Sequence, residues 1–326
     1  MRLSPWLAIA TAVSFALGFP FAAVAVPASS PATVILVRFA ASAVILGILA
    51  LALRLPWPSR MQAVHAAITG IVGQGVQFIG VYTALQHDVP PALVALVVAM
   101  NPVLTAAVAA GLLGESLTVR RSLALVLGVA AVLAALAGRL LEVGSVPAAV
   151  AFAAGGLAGI SLGGIYQQRY LHAGHSMTNY TVGLFAALVP TAILGAFTSI
   201  GVSDWHGFAV NTALIVLFNG LISSLLYMVC VKQGGAAATS MIFGVIPSIA
   251  AVASWIMLGQ RLDIGIAIGL VLGALSCYLG YSRSGRAPRT TAVTVEGLDE
   301  PAGPDGPDVP ADPVGPVGAV GPTRQD

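Results

Sequence analysis

The sequence predicts an all-α membrane protein: ten transmembrane helices in two inverted-topology five-helix repeats, followed by a disordered C-terminal tail. Three observations predict it. The 326-residue chain is 58% hydrophobic and only 8% charged, with a mean hydropathy of +0.94. A water-soluble domain carries about 25% charged residues to solvate its surface, so this surface must face lipid. Next, residues about 70–130 repeat without a gap 145 positions further on. Gly75 pairs with Gly220, Tyr82 with Tyr227, Ala92 with Ala237 and Pro102 with Pro247, and Leu125-Val126-Leu127-Gly128 returns as Leu270-Val271-Leu272-Gly273. Lastly, the basic residues fall on alternate connections. With both termini inside, the cytoplasmic segments hold Arg2, Arg54, Arg60, Arg120, Arg121, Arg169, Lys232, Arg283, Arg286, Arg289 and Arg324, and the outer ones only Arg139 and Arg261. That is a positive-inside bias, and the opposite orientation inverts it.

Ten apolar stretches lie at about 6–26, 33–53, 65–86, 91–114, 119–138, 146–167, 178–200, 209–230, 236–259 and 263–282. Each approaches or reaches the ~20 residues that cross ~30 Å of hydrocarbon as a helix. Alternating ten-residue strands, which a membrane barrel requires, are absent from the sequence. Connections are short, so neighbouring helices pack as antiparallel hairpins. Five spans per half is an odd number, which turns the second half upside down relative to the first. Inverted repeats of this kind commonly build secondary transporters, with the substrate path between the halves.

The first stretch, behind Arg2 and with Ala23 and Ala25 near its end, also reads as a secretory signal peptide. The retained helix is the better reading, because Gly18 finds Gly163 at the repeat offset and cleavage would leave nine spans. The second span carries Arg38 about five residues inside its start, and the third carries Gln74, Gln77 and Tyr82. Asn101-Pro102 interrupts the fourth. Gly155, Gly159 and Gly163 step by fours along the sixth, which ends on Tyr166, Gln167 and Gln168. The eighth carries Asn219, Ser223 and Tyr227, the ninth Pro247-Ser248 and Trp255, and the tenth Gly265, Gly269 and Gly273. Cys230 and Cys277, inside apolar runs, read as small packing residues. Beyond the tenth span, residues 283–326 hold eight prolines and seven acidic residues, and cannot bury enough apolar surface to fold. The domains are therefore residues 1–140, 146–282 and a cytoplasmic tail over 283–326.

The residues also carry a family pattern. Val37-Arg38-Phe39 stands early in the second span and Pro102 in the middle of the fourth, which Gly114-Glu115-Ser116-Leu117 closes; Gly128 follows in the fifth. Over about residues 5–282 the chain resembles the EamA-type exporters of the drug/metabolite transporter superfamily. It departs from their pattern at Gln260, where a glutamate is often seen. The resemblance implies export of amino acids, their derivatives, other small metabolites or drugs. It also implies a central cavity lined mainly by spans 1, 3, 4, 6, 8 and 9, with spans 5 and 10 peripheral.

Ionisable groups within a bilayer are costly and mark function by default. Arg38 is the one basic residue clearly inside a span. It reads either as an anion anchor or gate, or as a side chain snorkelling to the outer headgroups. No aspartate or glutamate falls in a span interior: Asp88, Glu115 and Asp263 are at span ends, and Glu142 and Asp204 in outer loops. An organic-cation/proton antiporter needs a mid-membrane carboxylate, so a neutral or zwitterionic solute is favoured. Glu115 reads as a partner of Arg120 or Arg121. Gln74, Gln77 and Tyr82 share one helical face, as do Asn219, Ser223 and Tyr227. Because Gln74 matches Asn219 and Tyr82 matches Tyr227, both halves place an amide and a phenol at equivalent depths. These six, with Asn101 and Trp255, are the substrate-cavity candidates, and Pro102 and Pro247 the helix-kink candidates. For each, interhelical packing is the competing reading.

Gly159-Ile160-Ser161-Leu162-Gly163 matches a hydrolase signature, but it lies within a continuous apolar helix rather than a strand-to-helix elbow. His172 and His175 have no third metal ligand nearby. Neither an enzyme, a metal nor a cofactor is expected. A net charge of +2 without a basic stripe argues against nucleic acid. The expected partners are a small-molecule substrate and the lipid bilayer, with a homodimer through the glycines of span 10 as one use of that stripe and internal packing as the other. Thirteen of the 14 basic residues are arginine, which with abundant Ala, Gly and Val suggests a bacterial plasma membrane. A non-transporting membrane scaffold or sensor, or an exporter of xenobiotics, stand as the alternatives.

Overall fold

The computed structural model describes residues 4–113, 119–143, 148–171, 174–198, 200–260 and 263–281. Among them every regular element is helical. Pro31 opens α2 (Pro31–Ala52), where its missing N–H is not needed, and Ser30 caps it by accepting from Thr33 N. α1 (Pro5–Ala25) precedes it. A reciprocal Ser59/Gln62 capping box starts α3 (Arg60–Gly70), which passes through a π-helical stretch, Ile71–Val76, into α4 (Gln77–Gln86). α5 (Pro91–Ala99) and α6 (Asn101–Leu113) are separated at Met100, and α7 spans Val119–Val143. The next helices are α8 (Val150–Tyr170), α9 (Ser176–Phe197) and α10 (Trp205–Leu214). A second π-helical stretch, Ile215–Ile222, joins α10 to α11 (Ser223–Ser240). A 3₁₀ turn over Met241–Gly244 leads to α12 (Ile246–Leu258), and α13 is Ile264–Tyr281.

Among the described residues, six helical runs are long and apolar enough to cross a membrane: Pro5–Ala25, Pro31–Ala52, Arg60–Gln86, Val150–Tyr170, Ser176–Phe197 and Trp205–Cys230. Four shorter apolar stretches, Pro91–Thr105, Ser122–Ala137, Ile242–Leu258 and Ile264–Ser276, stand beside them. The polarity is that of a protein in lipid. Ile48, Val126, Val189, Ile256 and Val271 are exposed, while Phe39, Leu46, Tyr82, Leu93, Leu184 and Ile215 are buried. The chain divides into a unit of residues 1–284 and one of residues 285–326. The expected disordered tail lies outside the described residues.

Two boundaries differ from expectation. The eighth span does not end at 230: the helix continues to Ser240 through the segment expected as a connection. Lys232-Gln233-Gly234-Gly235 reads as a break, but Ala236-Ala237-Ala238 follows and no proline intervenes before Pro247. Alanine's propensity carries the helix on to Ser240, where a 3₁₀ turn follows, and Pro247 stands in the first turn of the next helix. α7 likewise reaches Val143, so Arg139 and Glu142 sit on a helix rather than in a loop.

The two prolines fall just after helix breaks at Met100 and Val245. Pro102 is in the first turn of α6, two residues after Met100, and Pro247 in the first turn of α12, two residues after Val245. Met100 and Val245 are 145 residues apart, and so, within a residue, are the two π-helical stretches. Packing repeats as well. A Cβ on Gly220 would lie 2.5 Å from Ser42 Oγ, and one on Gly75 would lie 2.8 Å from Pro190 Cγ and 3.7–3.8 Å from the Ala187 backbone. Gly220 and Ser42 match Gly75 and Ala187 at the same offset.

Glycine stripes are used inside the bundle. A Cβ on Gly163 would lie 2.5 Å from Gly73 Cα, and one on Gly156 2.7 Å from the Gln77 carbonyl, so α8 lies directly on the third span. Gly155, expected in that stripe, has open space beside it. On α13, Gly269 faces the Ala131 carbonyl at 2.7 Å and Gly273 faces Leu96 at 2.8 Å. The stripe that suggested a dimer contact therefore packs against α7 and α5. The outward face of α13 carries Ile264, Ile268 and Val271 instead.

Candidate functional site

Arg38 is turned into the bundle and is 2% exposed, so it does not snorkel outward. Its Nη1 donates to the Tyr82 hydroxyl at 2.6 Å and its Nη2 to Asn219 Oδ1 at 2.9 Å. The guanidinium carbon stands 3.9 Å from the centroid of the Phe78 ring. Phe78 is held edge-on by Phe39 and Tyr82, at ring separations of 5.7 and 5.6 Å. A desolvated cation over an aromatic face gains about 2 kcal/mol. Asn219 is itself oriented: its Nδ2 donates to the Phe15 carbonyl at 3.1 Å. Gly18 makes room for it, since a Cβ there would lie 2.5 Å from Asn219 Nδ2. One side chain thus ties together α1, α2, α4 and the π-helical stretch before α11.

A buried guanidinium ordinarily has a carboxylate beside it. Among the described residues none pairs with Arg38. Asp204 accepts from His206 N at 3.0 Å and Asp263 from Ile266 N at 2.6 Å, so both carboxylates cap helix starts. Asp88 is exposed, at the end of α4. Glu115 lies outside the described residues, and with it the expected pairing to Arg120 or Arg121. Arg38 Nε and Ser42 Oγ, one turn apart on α2, are both buried without a partner.

A second polar region lies between α3, α8 and α9. It is a partly open cleft of about 160 Å³, lined by Thr69, Gln74, Gln167, Ser176, Asn179 and Tyr180, with Gly70 and Gly183 at its wall. Thr69 Oγ1 is buried without a partner. At this wall the backbones of α3 and α9 are in direct contact: a Cβ on Gly70 would fall 2.0 Å from the Gly183 carbonyl.

Of the cavity candidates, Tyr82 and Asn219 meet at Arg38 and Gln74 lines the cleft. Ser223 is buried and donates to the Asn219 carbonyl at 2.5 Å, within its own helix. Gln77 is buried, its backbone at the crossing with α8. Asn101 Oδ1 accepts from Ser161 Oγ at 2.9 Å and from Thr105 Oγ1 at 3.1 Å, which binds α6 to α8 and gives Ser161 a structural partner. Tyr227 stacks edge-on with Phe15 and Phe243. Trp255 is 57% exposed, on the face of α12 that also shows Val252 and Ile256, away from the Arg38 cluster. Ser42 and Phe78 were not singled out in the sequence, although each has a readable signal: Ser42 is four residues from Arg38, and Phe78 four from Tyr82.

Comparison with known proteins gives a family and a fold. A profile described as the EamA-like transporter family matches residues 3–137 and 147–282. An uncharacterized transporter of Clostridium kluyveri is 24% identical over 110 residues, which cover 32% of this chain and 35% of the relative. The chain thus spans about a third of the length of that relative. A crystal structure described only as that of a protein superposes with a TM-score of 0.56 at 17% identity, over 83% of this chain and 96% of the other. At that identity the likeness speaks for the fold alone. The chain is an integral membrane protein that belongs to the EamA-like transporter family of the drug/metabolite transporter superfamily, a family of transporters rather than enzymes.

Proposed function

We propose that this protein exports small neutral or zwitterionic metabolites, such as amino acids or their derivatives, by alternating access between two inverted five-span halves. The halves are residues 1–140 and 146–282, with both termini cytoplasmic and the chain in a bacterial plasma membrane. The observation that carries this reading is the Arg38–Tyr82–Asn219 joint, a polar assembly inside an apolar bundle. Arg38 and Tyr82 belong to the first half and Asn219 to the second, so movement of one half against the other makes or breaks the Arg38–Asn219 bond, while Tyr82 holds the guanidinium within its own half. The cleft at Gln74 lies, by the positive-inside distribution, toward the cytoplasmic side, and Arg38 toward the outer side. The arrangement is therefore that of a carrier closed outward by the joint and open inward at the cleft. The repeated packing of Gly220 on Ser42 and of Gly75 on Ala187 supports a common architecture for the halves.

Counterflow in proteoliposomes loaded with a mixed panel of amino acids and related metabolites, with and without a pH gradient, tests the proposal. Saturable exchange of a panel member is the expected result. A flat panel from folded protein rejects this substrate class and shifts the reading to xenobiotics or to a non-transporting scaffold.

A further inference from the structure

We propose that Arg38 and Ser42 form a carboxylate-binding subsite, so that the transported solutes carry a carboxylate group. The inference rests on the transporter reading above and deepens it. Three observations meet here. Among the described residues Arg38 is a buried cation without a carboxylate partner, and the bonds to Tyr82 and Asn219 use two of the five N–H donors of a guanidinium. Its Nε has no partner, and neither has the Ser42 hydroxyl one turn along the same face. Both residues are 2% exposed. A buried donor left without a partner is destabilising, and more so when it is charged.

The second half of the chain shows that the packing requires neither group. At the 145-residue offset Arg38 is replaced by Gly183 and Ser42 by Ala187, while Asn219 is matched by Gln74 and Tyr82 by Tyr227. The Ser42–Gly220 contact has its counterpart in Ala187–Gly75. The cation and the hydroxyl are therefore added chemistry on a shared scaffold. A carboxylate answers both: its planar pair of oxygens takes two guanidinium N–H groups side by side, and it accepts from a hydroxyl. When the joint opens, Nε and the Nη2 donor released by Asn219 face the incoming oxygens. The Phe78 ring meanwhile holds the guanidinium plane in place.

The test uses the full chain, purified, with thermal unfolding measured against formate, acetate and benzoate, against formamide, acetamide and benzamide, and against inorganic phosphate. Carboxylates are expected to raise the unfolding temperature in a saturable manner and the amides to leave it unchanged. Arg38→Gln should remove the carboxylate response. Ser42→Ala is the sharper variant: it deletes a hydroxyl without a partner, so the ligand-free protein should be as stable as wild type or more so. Its carboxylate affinity should nevertheless fall several-fold, a combination that a merely structural serine does not produce. The proposal is overturned if no carboxylate shifts wild type, if amides or phosphate shift it as much as carboxylates do, or if Arg38→Gln or Ser42→Ala responds as wild type does. Counterflow separates the two levels. Exchange of uncharged solutes that survives Arg38→Gln leaves the carrier reading intact and removes the subsite; absence of any exchange removes the carrier reading itself.

Discussion

The Arg38 joint and the Gln74 cleft are two versions of one arrangement. In each, an amide on a π-helical stretch faces the next packed helix, Asn219 across from α2 and Gln74 across from α9. In the first the facing residue is Arg38 and the space is filled; in the second the matching residue is Gly183 and a cleft of about 160 Å³ is left. The difference teaches that backbone architecture and chemistry are separable here. The repeat supplies two related crossings, and Arg38 in place of Gly183, with Ile215 in place of Gly70, sets the sealed and charged one apart from the open and neutral one. π-helical stretches are frequent at functional sites because the extra residue re-aims side chains, and here each presents an amide.

The comparison can be broken most severely at the wall of the cleft. Gly70→Ala puts a Cβ 2.0 Å from the Gly183 carbonyl, backbone that has no flexible end to move. Overpacking of this kind costs about 1–3 kcal/mol or more. Loss of monodisperse protein, or a large drop in unfolding temperature, is expected. The matching position in the other half holds Ile215, buried with a full side chain, so the two crossings differ in closeness as well as in chemistry. Normal yield and stability for Gly70→Ala would show that the α3–α9 contact is looser than described.

A smaller effect separates the two phenols. Tyr82→Phe removes the 2.6 Å bond from Arg38, and interhelical bonds in membranes are worth up to about 1–2 kcal/mol. Tyr227 makes ring contacts with Phe15 and Phe243, which a phenylalanine keeps, so Tyr227→Phe should stay within about 0.5 kcal/mol of wild type. Chemical or thermal unfolding of the two variants side by side measures this. Equal destabilisation would mean that the joint does not distinguish the halves. The smallest effect is expected at Trp255, on the outward face of α12: Trp255→Ala should leave exchange rates close to wild type. A substantial fall in flux would return it to the substrate path.

Much of this was legible in the sequence, for identifiable reasons. The apolar runs and the 145-residue repeat pointed to Gln74, Asn219 and Tyr82 as special, because polar groups at matched depths in lipid are costly and rare. The proline breaks were visible because proline has no N–H to give. Which partners these residues meet was not legible. Arg38 five residues into a span is compatible with snorkelling or with burial, and the choice depends on Gly18, Phe78 and Tyr82, which no local pattern brings to it. Trp255 and Tyr227 looked equivalent to a cavity reading because periodicity gives a face without saying what that face meets. The eighth span, expected to end at about 230, runs on to Ser240 because the alanines after Gly234 and Gly235 continue the helix.

The most direct test of the central claim is the rate of solute exchange in proteoliposomes by wild type, Asn219→Ala and Gln74→Ala, each checked for folded protein. If the joint and the cleft are the two ends of one path, both variants lose exchange. Asn219→Ala should lose more, because it also strips a partner from a buried cation. Wild-type rates in both variants, from folded protein, would contradict the account and leave the polar pair as packing.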